Sequence, residues 1–286
     1  MRRARVVATL VAASLALLAF TACSAPGGAA ATQHDAAPGL IDGITTIGVL
    51  GDSMSLGVNA CGHRGACTQA SWVMGSDSEV DSLAARIGKA TGHRPSIANG
   101  AVDGGTVATM LDTVPQVISA KPQLVTVLIG ANDACKPSFD QMTTAAQFHA
   151  DYAQLIGDVA TALPKARILA LSVPDLNRLW GLGHGNSAVA AAWSRAPGCR
   201  SLLGDAGSLA PADAERRAAV GQLVDQYDEA IEDVCAQHPT CSWDGDAVHR
   251  HGFSSAEISR VDFFHPSAAG QAAIARLAWA VLAKAE

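Results

Sequence analysis

The chain has 286 residues, of which 49% are apolar, and a formal net charge of −6. That length suits one large domain rather than two. An acidic balance with only 5% aromatic residues offers no basic patch, so no nucleic-acid partner is expected.

Arg2, Arg3 and Arg5 precede an apolar stretch from Val6 to Phe20 that is short for a membrane span, the pattern of an export signal over residues 1–22. Thr21-Ala22-Cys23 follows and resembles the lipobox of bacterial lipoproteins, whose cysteine is acylated after cleavage. Phe20 stands where leucine is usual, so ordinary cleavage near Ala22 to Ala25 is the alternative. The expected location is extracytoplasmic, either anchored to the membrane through Cys23 or secreted. Residues 23–40, rich in Ala, Gly and Pro without periodicity, read as a flexible tether, and 41–286 as the folded domain.

Within that domain, apolar runs at Ile47 to Leu50, Leu124 to Ile129 and Ile168 to Val173 predict buried strands, with weaker ones at Ser96 to Ala98 and Thr240 to Trp243. Helical spacing joins Val80, Leu83, Ala84 and Ile87. It also joins Phe148, Tyr152, Leu155, Ile156, Val159 and Leu163, and then Val220, Leu223, Val224, Tyr227, Ile231 and Val234 beyond Pro211. Ser267 is placed to cap a last helix carrying Ile274, Leu277, Val281 and Leu282. Strands alternating with helices predict a parallel sheet covered on both faces, with sites at the carboxyl ends of its strands.

Six cysteines remain beyond Cys23, an even set in a compartment where disulfides persist. Fifteen pairings are possible. The preferred set joins Cys61 to Cys67 and Cys235 to Cys241 across short loops, leaving Cys135 and Cys199 as a long-range staple. No Cys-x-x-Cys or His-x-x-x-His pair suggests a metal site.

The polar residues that interrupt the apolar runs carry the chemistry. The first strand ends at Gly51-Asp52-Ser53, the second runs into Asn99 to Thr106 with Gly104 and Gly105, and the third into Gly130-Ala131-Asn132-Asp133. Near the other end stands Asp262-Phe263-Phe264-His265-Pro266. A serine hydroxyl needs an adjacent base to become a nucleophile, and an Asp-x-x-His turn supplies a base with its orienter. Acyl transfer also needs donors for the oxyanion, for which the Ser53 N–H, the Gly104 N–H and the Asn132 amide are candidates. Gly105 is the alternative to Gly104.

These four segments, in this order, resemble the four blocks of the GDSL, or SGNH, hydrolase superfamily, and His265-Pro266-Ser267-Ala268-Ala269-Gly270 continues the last block. Met54 replaces the leucine that gives the family one of its names. The resemblance implies a three-layer α/β/α, flavodoxin-like fold with about five parallel strands. It also implies hydrolysis of esters, thioesters or acetyl groups by Ser53, His265 and Asp262, without a metal or other cofactor. Ser71-Trp72 resembles, more distantly, the phospholipase B-like branch.

Each residue also has a structural use. Ser53 and Asn132 could cap helices, Asp52 could support its turn, Gly104 could satisfy a left-handed turn and Asp133 could start a helix. Trp72 could anchor a loop. Of the nine histidines, His265 alone has a carboxylate at a spacing that suggests partnership. The segment from Val58 to Ser76 and the region from Pro174 to Gly183 around Trp180 are expected near the substrate, as a wall of the site and a lining of the acyl pocket respectively; a packed surface turn is the other reading of the Trp180 region. The expectation is an exported hydrolase of lipid or short-chain esters. A carbohydrate or peptidoglycan O-acetyl esterase is the first alternative, and a non-catalytic surface-binding protein with the same fold the second. Oligomeric state is not legible.

Overall fold

β-branched and leucine-rich runs that cannot face water on either side become the strands of one parallel sheet. The computed structural model describes residues 41–284, so the expected export signal, the tether and Cys23 lie outside the described residues. The strands are β1 (Thr46–Gly51), β2 (Ser96–Asn99), β3 (Leu124–Leu128), β4 (Arg167–Ala170) and β5 (Cys241–Trp243), in the spatial order β2-β1-β3-β4-β5. β1 lies inside the sheet, with Ile47 opposite Ile97 on one side and Leu124 on the other. Val49, Leu50, Val125 and Leu128 are completely shielded from solvent.

The helices follow from their caps and apolar faces. α1 (Leu83–Thr91) starts at Ser82, whose hydroxyl accepts the Ala85 N–H, so Val80 falls in the turn before it. α2 (Val107–Ser119) is opened by a capping box between Thr106 and Thr109. A single turn, α3 (Ala131–Ala134), precedes the long α4 (Ala145–Ala162). After β4 come α5 (Leu176–Gly183), α6 (Ser187–Ser194) and α7 (Arg200–Leu203). α8 (Pro211–Ala236) begins with proline at its first turn, and α9 (Ala268–Leu282) is capped by Ser267. Right-handed crossovers put α2, α4 and α8 together on one face of the sheet and α1 with α9 on the other, giving three α/β/α layers.

β4 is shorter than its apolar run predicts. Leu171 still donates to Val127 O, but Ser172 N–H turns to Asp244 Oδ1 at 3.1 Å and Val173 N–H to Asp228 Oδ1 at 2.7 Å. Buried carboxylates thus replace the ladder at Ser172 and Val173, Asp244 doing so from directly beyond the end of β5. Three disulfides are formed, Cys61–Cys67, Cys135–Cys199 and Cys235–Cys241. They tie the loop after β1, the end of α3 to the start of α7, and the end of α8 to β5.

β1 lies between β2 and β3, so the chain leaves it in one direction and crosses to the other side after β2. The reversal opens a crevice at the carboxyl ends of β1 and β3, the usual ligand position in such sheets.

Candidate active site

Ser53 lies just beyond the end of β1 and is 4% exposed. A tight turn forms as Ser55 and Leu56 N–H donate to Asp52 O, while Met54 N–H donates to Asp52 Oδ1 at 2.8 Å. Asp52 supports the turn as expected and does more: its other oxygen accepts the Asn132 amide at 3.2 Å. Burial lifts the Asp52 carboxyl to about 7, against the opposing pull of the Met54 N–H and the nearby His265.

Asn132 is presented by α3, whose entry turn needs Gly130 at φ 126°. A Cβ there would stand 2.6 Å from a Val173 methyl. The Asn132 amide nitrogen donates both to Asp52 and to Gly105 O at 3.0 Å. The Gly105 carbonyl can only accept, so the nitrogen, not the oxygen, must face it. Asp133, next in sequence, is buried away from this crevice. It accepts the Val107 N–H at the start of α2 and the Thr143 hydroxyl, and burial raises its carboxyl to about 6.

In the loop after β2, Gly104 has φ 72° and open space where a Cβ would be. The Gly105 N–H is already committed to Val102 O at 3.0 Å, whereas that of Gly104 has no acceptor among the described residues. The two glycines therefore differ: one presents a free donor, the other holds the turn and orients Asn132.

The turn before α9 brings His265 Nδ1 to 2.5 Å from Asp262 Oδ2. The other carboxylate oxygen, Oδ1, accepts the Phe264 and His265 N–H groups at 3.0 and 3.2 Å. Burial alone would raise the Asp262 carboxyl. The His265 bond and charge, the Phe264 N–H and the Asn59 amide together hold it below the usual range. Asn59 is not legible as a site residue in the sequence: it lies 203 positions from Asp262, yet its Nδ2 donates to Asp262 Oδ2 at 2.7 Å.

Two cavities meet at these groups. One, of about 60 Å³, has Ser53, Asn132 and His265 on one side and apolar walls from Met54, Leu176, Leu179, Phe253, Ile258 and Phe264. Arg178 Nε donates to Phe253 O at 2.8 Å and ties two of those walls together. The second, of about 220 Å³, is also lined by Ser53, Asn132 and His265, and adds Asp103, Trp193, Asp262 and the Cys135–Cys199 disulfide.

Two expectations are corrected. Residues of the Val58 to Ser76 segment line neither cavity: Asn59 lies behind Asp262, to which its amide donates, and residues 61–66 of the Cys61–Cys67 ring are exposed. The Pro174 to Gly183 region does line the first cavity, through Pro174, Asp175, Leu176, Arg178 and Leu179, although the Trp180 ring itself faces away, donating to Ala206 O and lying 4.2 Å from the Arg217 guanidinium. His265 is not alone in having a carboxylate partner. His249 pairs with Asp228 at 2.8 Å and His251 with Glu257 at 2.9 Å, each through a fold contact that local spacing does not reveal. Trp72 is buried, its backbone N–H donating to Gln271, consistent with an anchoring role.

The sequence model of the GDSL-like lipase/acylhydrolase family matches residues 49–273. No curated protein matches the chain. Among solved structures, TesA is 19% identical with a TM-score of 0.53, the alignment covering 83% of this chain and 97% of TesA. A carbohydrate esterase is 14% identical with a TM-score of 0.50, covering 84% of this chain and 69% of that one. A protein from Lactobacillus plantarum is 18% identical with a TM-score of 0.50, covering 85% and 98%. Likeness at these identities shows a shared fold.

Proposed function

The chain belongs to the GDSL-like lipase/acylhydrolase family, and we propose that it is an exported serine hydrolase of acyl esters that works through an acyl-enzyme on Ser53. The observation that carries this reading is the 2.5 Å bond from His265 Nδ1 to an ionised Asp262, with His265 and Ser53 lining the same two cavities. Asp262 fixes the tautomer that leaves Nε2 as the base and stabilises the imidazolium formed when it takes a proton.

In the first step His265 removes the Ser53 hydroxyl proton as the oxygen attacks the acyl carbonyl. The oxyanion is met by the Ser53 and Gly104 N–H groups and by Asn132, whose amide would release one of its present acceptors to do so. His265 returns the proton to the departing alcohol. Water, deprotonated by the same histidine, then releases the acid and restores Ser53.

The apolar cavity suits the acyl chain. The larger, more polar cavity suits the alcohol. That asymmetry supports an acyl ester of a polar alcohol, a class that includes short-chain esters and an O-acetyl group on a carbohydrate or peptidoglycan. Export is supported by three formed disulfides. Among the described residues no helix is long and apolar enough to cross a membrane; attachment would rest on acylated Cys23, which mass spectrometry of the mature amino terminus should find. Hydrolysis of p-nitrophenyl acetate and butyrate by the wild type, lost in Ser53→Ala, is the expected result. No hydrolysis at any chain length would leave a non-catalytic binding role.

A further inference from the structure

We propose that Asn59 is a positioning residue of the catalytic apparatus, holding Asp262 in place for His265 from a loop closed by the Cys61–Cys67 disulfide. This rests on the Ser53–His265–Asp262 reading above. A carboxylate offers about four lone-pair positions. Those of Asp262 are met by four donors: the Phe264 and His265 N–H groups on Oδ1, and Asn59 Nδ2 with His265 Nδ1 on Oδ2. Three of the four come from the Asp-x-x-His turn itself. Among the described residues Asn59 supplies the one donor from outside that turn, fixing where the turn lies relative to the loop that follows Ser53.

Asn59 is itself held at every polar group. Its N–H donates to Gly65 O at 2.9 Å, its Oδ1 accepts the Gly65 N–H at 2.8 Å, and its carbonyl accepts the Ser259 hydroxyl at 2.7 Å. Gly65 lies inside the ring that Cys61 and Cys67 close. The amide therefore cannot turn over: its oxygen is fixed by the disulfide ring, which leaves its nitrogen aimed at Asp262. Its φ of 61° is a left-handed conformation that asparagine tolerates better than most residues.

That backbone selects the test. Asn59→Gly removes the amide while adopting the same φ without strain, and the exposed Gly65 N–H can turn to water. Asn59→Asp keeps the acceptor for Gly65 but sets a second carboxylate against Asp262. Without the Asn59 donor, Asp262 attracts the His265 proton more strongly. The imidazole titration followed by NMR, and the acid limb of kcat/KM, should then rise by about half a unit or more.

For Asn59→Gly, kcat should fall about tenfold or more with KM within about twofold, since Asn59 lines neither cavity. Asn59→Asp should shift the titration further and lose more kcat. A role confined to the loop would lower thermal stability and leave the titration unmoved. Asp52, Asp103, Asp175 and Arg178, the other charged residues lining His265's cavities, are the same in both variants. An unmoved His265 titration with kcat near wild type in either variant overturns the proposal. The NMR readout needs no substrate, so an inactive wild type would sink the esterase reading separately from the Asn59–Asp262–His265 coupling.

Discussion

Replacing Asp52 by asparagine should reverse the sign of its effect on stability across the neutral range. Asp52 is 1% exposed, and burial raises its carboxyl from 3.8 to about 7, with Asp133 and Asp103 pushing the same way and the Met54 N–H and His265 opposing. Below 3.8 the folded and unfolded chains both hold the proton. Between 3.8 and about 7 the folded chain alone holds it, so stability falls as pH rises, by up to ~1.4 kcal/mol per unit. Ionising the buried group completely costs on the order of 4 kcal/mol. The substituted side chain would have no charge to lose, but its amide would face the Asn132 amide donor to donor, or surrender the Met54 cap if flipped. That lost bond costs about 1 kcal/mol. Urea denaturation of both proteins at steps from about pH 4 to about pH 8 should find Asp52→Asn the less stable at the acid end and the more stable at the alkaline end, a swing of ~3 kcal/mol or more. The contributions of Asp133 and Asp228, both raised to about 6 by burial, are common to the two proteins and largely cancel. A stability difference that stays constant with pH would refute the assignment of Asp52 as a buried acid that titrates near neutrality.

Further outcomes follow from the same geometry. Asp262→Asn should lower kcat by about 10³- to 10⁴-fold with the fold intact, because the amide favours the wrong His265 tautomer; steady-state kinetics with a circular-dichroism control would check it. Asn132→Ala should cost about 100- to 1,000-fold in kcat and little in KM, as expected for a donor whose contribution is largest in the transition state. Leu179→Ala, which enlarges the apolar cavity, should move the preferred p-nitrophenyl ester to longer acyl chains, measured as kcat/KM against chain length. Replacing Cys135 and Cys199 by serine opens a loop of 64 residues and should cost ~4 kcal/mol, against ~2 kcal/mol for the six-residue Cys61–Cys67 loop, both by chemical denaturation.

The legible part of the site is the part encoded locally. Ser53 and Asn132 each follow an apolar run that can only be a buried strand, and Asp262 with His265 occupies one turn. The family order of these blocks then brings them to one rim. Local pattern does not mark α2: Thr106 and Thr109 make a capping box without the usual acidic or amide partner, and Pro115 sits inside the helix. The end of β4 misleads for a different reason. Ser172 and Val173 continue an apolar, strand-like run, but Asp228 and Asp244, supplied from far along the chain, take their N–H groups out of the ladder. Asn59 is the plainest case of information absent from local spacing. Its relation to Asp262 exists only once the Cys61–Cys67 loop and the turn before α9 are folded against each other.

The central claim, that Ser53 is the activated nucleophile, is tested most directly by covalent labelling with an alkyl fluorophosphonate followed by peptide mass spectrometry. One phosphonyl group should be found on Ser53, with esterase activity lost in proportion to labelling, and none should form in Ser53→Ala or, at comparable rate, in His265→Ala. Undiminished hydrolysis after exposure to the reagent, or a label on another residue tracking the loss of activity, would contradict it.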